Sequence, residues 1–213
     1  MKVEEVKKEL KNMEKFTIPE ARKLSKRIAK DNYKEFLDKD PLDSFEIKMI
    51  HAFVIGYAKD DIKILIKYFE DFIPYVDDWA INDALCQNFK ITKKYHKDVW
   101  NMLINYKSSY IDFEVRVVAV MLLTYYLTDE YINEVLEVLN NLHLVGYYSK
   151  MGVAWALATA TARDKYPIQI KKYMESNENK LDDWTYNKTL QKIRESFRVS
   201  DEIKEWSRRV KRG

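Results

Sequence analysis

Apolar residues recur at three- and four-residue spacing along most of the chain, the period of helices that bury one face. In Lys2–Phe16 the stripe is Val3, Val6, Leu10 and Met13. Pro19 opens a second helix, where Arg22, Lys23, Lys26 and Arg27 cluster beside apolar Leu24 and Ile28. A short helix, Asn32–Leu37, ends before Asp40-Pro41. Ser44–Tyr57 and Asp60–Ile73 read as a pair split by Gly56 and a Lys59-Asp60-Asp61 turn. After the helix at Val76–Leu85 come Lys93–Tyr106, Asp112–Leu127, Glu130–Leu142, Tyr147–Arg163, Tyr166–Ser176, Asp182–Phe197 and Ser200–Lys211. Short polar links join them, and antiparallel helix pairs repeated in this way predict an all-α chain, an α-solenoid.

The stretch around which the chain is organised is Val76–Leu85, VDDWAINDAL. Asp77 and Asp78 can each accept from free N–H groups of a first helical turn and suit its positive end. Trp79 and Asp83, four apart, share a helix face. They read either as a half-buried ring beside a solvated acid or as an aromatic–carboxylate pair for a cationic ligand. The stretch aligns without gaps to LDDWTYNKTL at Leu181, with five identities in ten positions. Where the first copy has Asp83 the second has Lys188, so equivalent helices carry an acid and a base.

With 4 Gly and 4 Pro, a turn-rich β sandwich or a glycine-lined nucleotide fold is excluded. A length of 213 residues suits one domain, 1–213. Net charge is only +3, so a polyanionic partner requires basic residues gathered on one face. Lone Cys86 rules out an internal disulfide framework, fits a reducing cytosol, and reads as a small core residue. The charged amphipathic N-terminus is not a signal peptide, and the longest apolar run, Val115–Leu127, is too short to span a membrane and carries Arg116.

That arginine lies in Asp112–Leu127, apolar around most of its circumference. A guanidinium there is either ion-paired, to Asp112, Glu114 or an acid of another helix, or reaches an anion-binding surface. Tyr147–Arg163 is thin in profile, with Gly152, Ala154, Ala156, Ala158, Thr159, Ala160 and Ala162 around a single bulky Trp155. Small residues serve close helix packing, and they equally admit a nucleic-acid backbone, leaving Trp155 at the bottom of a shallow trough. From Lys188 onward, Lys192, Arg194, Arg198, Lys204, Arg208, Arg209, Lys211 and Arg212 are diluted by Glu195, Asp201, Glu202 and Glu205. Such a face is solvated or binds a phosphate backbone. His51, His96 and His143 are scattered, with no partners at metal-ligand spacing, and no phosphate-cradling glycine loop or nucleophile elbow occurs.

Trp79-Ala-Ile-Asn-Asp83, Arg116 in EVRVVAVMLL and Trp155 in Ala154-Trp155-Ala156-Leu157 occur in the order and approximate spacing of a known set. The chain resembles the DNA alkylation repair family, the AlkD-like DNA glycosylases of HEAT-like repeats. The resemblance implies a curved solenoid with a concave basic groove that grips duplex DNA. It implies excision of cationic N3- and N7-alkylated purines, with Asp83 as catalytic carboxylate and Trp79, Trp155 and Arg116 at the substrate. Arg116, Lys188 and Lys192 are then the expected DNA contacts. No cofactor, metal, membrane or obligate protein partner is expected, and the expected protein is a cytoplasmic, nucleoid-associated monomer. The alternative is a non-catalytic repeat protein for damaged or branched DNA, and a third possibility is a protein-binding scaffold.

Overall fold

The computed structural model describes residues 2–39, 42–162 and 165–213; Asp40-Pro41 and Arg163, the end expected for the Tyr147–Arg163 helix, lie outside them. Among the described residues the chain is all helical, with thirteen α-helices and no strand, as the apolar period predicts. They group into two compact units, Met1–Met102 and Leu103–Gly213.

In the first unit α1 (Val3–Lys11), α2 (Ile18–Lys30), α3 (Tyr33–Lys39), α4 (Phe45–Tyr57), α5 (Ile62–Phe72) and α6 (Trp79–Asn88) follow in order. The closest packing joins every second helix, α2 on α4 and α4 on α6. Helix α4 buries Ile47, Met49, Ile50, His51, Ala52, Phe53, Val54 and Ile55, so it is covered nearly all round. Gly56 does not split a helix pair. It lies inside α4, where a Cβ would sit 2.6 Å from the Asn88 carbonyl oxygen. The glycine is there because the α4 backbone meets the end of α6.

Helix α7 (His96–Ile104) leads into the second unit, which holds α8 (Asp112–Met121), α9 (Ile132–Asn141), α10 (Tyr147–Thr161), α11 (Pro167–Glu175), α12 (Asp183–Glu195) and α13 (Asp201–Arg209). Again alternate helices pack, α8 on α10 and α10 on α12. The helix expected to reach Leu127 is α-helical only to Met121; Leu122–Tyr126 widens into a π turn that buries Tyr126 completely. The thin profile of α10 serves packing: Gly152, Ala154, Ala156 and Ala158 are buried, and a Cβ on Gly152 would meet Ala119 Cβ at 3.1 Å.

The two units repeat a pattern of side chains. Glu20-Ala21-Arg22 on α2 corresponds to Glu114-Val115-Arg116 on α8. Lys48, the fourth residue of α4, pairs with Asp77 at 2.6 Å; Lys150, the fourth residue of α10, pairs with Asp182 at 3.5 Å. In each unit, therefore, the middle helix of the packed three holds the first acid of an Asp-Asp-Trp helix start.

Candidate nucleic-acid interface

Of the two acids opening α6, Asp78 is the cap: its Oδ1 accepts from the Ala80 N–H at 2.7 Å, while Asp77 takes the Lys48 ion pair. The cap starts the helix at Trp79, three residues later than the run from Val76 predicts. Trp79 is 53% exposed, so its ring is presented rather than packed away. One turn on, Asp83 is half-buried at the edge of the face formed by buried Ile81, Asn82, Ala84 and Leu85. Asp83 and Trp79 are thus neighbours on one helix of the first unit.

The second unit holds the other four predicted residues, on α10 and the two helices, α8 and α12, that pack against it. Arg116 of α8 is only 5% exposed and its Nη1 donates to the Tyr148 carbonyl at 3.1 Å. The carboxylate of Asp112 accepts from the N–H groups of Tyr148 and Ser149, at 2.9 and 2.7 Å, and so caps α10. Glu114 accepts from the Ser109 hydroxyl. Two acids that the sequence offered to Arg116 thereby anchor the first turn of α10 and the loop before α8. A Cβ on Gly146 would lie 2.6 Å from Asp112, so a glycine is needed for this cap to close.

On α12, Lys192 is half-buried, and burial holds its ammonium below the usual lysine range. The charges of Lys188 and Arg116 push the same way, and Glu195 opposes them. The three predicted DNA-contact cations therefore share one electrostatic neighbourhood. Lys188 also lies over the Trp184 ring at 5.5 Å, and Trp184 meets Tyr147 edge-on at 5.7 Å. Trp155 lines a cleft of about 360 Å³ together with Ala158, Thr159, Lys192, Glu195 and Phe197. Phe197 is fully exposed on its rim. Ala158, Thr159 and Lys192 are the small and cationic neighbours of the indole in this cleft.

A family model described as DNA alkylation repair enzyme matches residues 11–193. The chain belongs to this DNA alkylation repair family. Comparison with curated proteins and with solved structures gave no match. The match to the repair family runs from the end of α1 into the last turn of α12, so it contains Trp79, Asp83, Arg116, Trp155, Lys188 and Lys192. Family membership carries repair of alkylation damage, with DNA as the partner.

Sequence reasoning passed over Trp184 and Phe197. Trp184 had a legible signal, since Trp184 and Lys188 repeat the four-residue spacing of Trp79 and Asp83. Phe197 had none, because its exposure depends on where α12 stops. No described helix is long and apolar enough to cross a membrane. Among the described residues no group of three or more His, Cys, Asp or Glu is placed to hold a metal. Cys86 is buried, and His51 stacks on Phe72 at 4.6 Å, both core residues.

Proposed function

We propose that this member of the repair family is a DNA glycosylase that hydrolyses the N-glycosidic bond of cationic N3- or N7-alkylated purines in duplex DNA. The observation that carries the reading is the pairing of an exposed Trp79 with Asp83 one helical turn away, within the family match. Alkylation leaves the base positively charged, and bond breaking shifts that charge to the sugar. An ionised carboxylate beside the sugar stabilises the developing oxocarbenium ion and orients the attacking water. Indole faces add cation–π attraction of about 0.5–2 kcal/mol each. The base departs neutral, so no leaving-group acid is required.

In this reading Asp83 is the catalytic carboxylate with Trp79 as its aromatic neighbour, Trp155 supplies a second ring to the substrate, and Arg116 with Lys188 and Lys192 holds phosphates. The chain is read as one domain of HEAT-like repeats that acts on DNA as a monomer, without cofactor, in the cytoplasm at the nucleoid. Asp83→Asn is expected to lower release of 7-methylguanine from methylated duplex by about a hundredfold or more, with DNA affinity largely retained. Equal release by variant and wild type ends the assignment of Asp83.

A second reading, a non-catalytic binder of damaged duplex, is favoured by the cations gathered on α8 and α12 with exposed aromatics nearby, an arrangement that needs no acid. It expects salt-dependent binding and no base release from methylated DNA at any protein concentration.

A further inference from the structure

The first turns of α8, α10 and α12 carry rings that touch in series. Phe113, second residue of α8, stacks on Tyr148 of α10 with ring centres 4.6 Å apart. Tyr148 meets Tyr147 edge-on at 5.3 Å, and Tyr147 reaches Trp184 of α12 at 5.7 Å. Tyr147 is 57% exposed and Trp184 41%, so the outer end of this strip faces water. Phosphate binding at helix starts needs free N–H groups, and here those groups are taken. The N–H groups of Tyr148 and Ser149 donate to Asp112, and that of Thr185 donates to Asp182. The surface therefore presents ring area in place of backbone donors.

Bases inside a duplex have their faces covered by their neighbours, so exposed rings gain most from bases that have left the stack. The charge beside the rings is positive. Lys188 Nζ lies 5.5 Å from the Trp184 ring centre, and Lys192, one turn further along α12, continues the line to the Trp155 cleft. A cation set against the rings suits a polyanion better than the apolar face of another protein. We propose that this strip binds unpaired nucleotides, with their bases stacked on Tyr147 and Trp184, so that the protein prefers duplex DNA that continues into single strand. Every base has a π-face, so the preference is for unpaired structure rather than for sequence, and the Lys188 ammonium neutralises a phosphate of the stacked strand. The proposal rests on the reading that this protein holds DNA, and it does not require that Asp83 excise a base.

The test measures by fluorescence anisotropy the affinity of the full chain for a blunt duplex and for the same duplex with a thymidine tail at its 3′ or 5′ end. A further probe has a tail of equal length built from abasic tetrahydrofuran phosphodiesters, which keeps the charge and removes the bases. The expected result, in at least one tail polarity, is binding at least about fivefold tighter than to blunt duplex, with no comparable gain from the abasic tail. Tyr147→Ala and Trp184→Ala each cut the gain to about twofold or less, while Tyr147→Phe and Trp184→Phe, which keep a ring, retain it. Each variant is read as the ratio of its own tailed and blunt affinities, so a general loss of duplex binding cancels. Equal affinity for blunt and thymidine-tailed duplex, an equal gain from the abasic tail, or a gain that survives both alanine substitutions overturns the proposal. If blunt and tailed duplex bind equally and tightly, the DNA reading stands and this assignment alone falls. Release of 7-methylguanine is scored separately, on methylated blunt duplex.

Discussion

Lys192 and Asp83 show how one residue's surroundings decide its chemistry. Trp184 with Lys188 and Trp79 with Asp83 have the same spacing, yet opposite charges follow the ring. Lys192 departs further, since burial and the adjacent Lys188 and Arg116 charges all hold its ammonium below the usual range. The sign of the pH dependence follows. The proton of Lys192 is lost as pH rises, and an NMR titration of its side chain is expected to show a midpoint below that of an ordinary lysine. A titration with its midpoint at or above the ordinary lysine value contradicts this account of its surroundings. The identities of these residues were legible in the sequence, but the half-burial of Lys192 was not, because it depends on α10 and the end of α12 closing around it.

Among the elements, α4 and α6 show what sequence periodicity reaches and what it misses. The apolar run of α4 and the Asp-Asp-Trp start of α6 were readable, as was the existence of nearly every helix. Helix ends were less so. Asp78 rather than Asp77 caps α6, and the π turn at Leu122–Tyr126 has no sequence signature beyond apolarity. Gly56 looked like punctuation and is instead a contact point. Replacing Gly56 with alanine gains about 1 kcal/mol of helix propensity. The added Cβ, however, would lie 2.6 Å from a backbone oxygen of Asn88, which cannot rotate away as a side chain would. The clash wins, and Gly56→Ala is expected to destabilise the protein by about 1–3 kcal/mol net, read as a lowered urea midpoint. A variant as stable as wild type contradicts this account of the α4–α6 contact.

For the molecule as a whole, a net charge of +3 means that DNA affinity depends on where the cations sit rather than on how many there are. If Lys188 holds one phosphate, Lys188→Ala weakens binding to undamaged and damaged duplex alike. It also lowers the slope of log affinity against log salt by about 1. An unchanged slope removes Lys188 from the interface. Membership in the alkylation repair family was readable from Trp79, Asp83, Arg116 and Trp155 in order, whereas the exposure of the rim residue Phe197 needed the folded chain. The central claim is that the protein breaks the bond between sugar and alkylated base. Its most direct test is a single-turnover assay in which excess wild-type protein is incubated with N7-methylated duplex DNA and the freed bases are separated and identified. Release of 7-methylguanine well above the spontaneous rate is the predicted result; tight binding with release no faster than in buffer alone would contradict it.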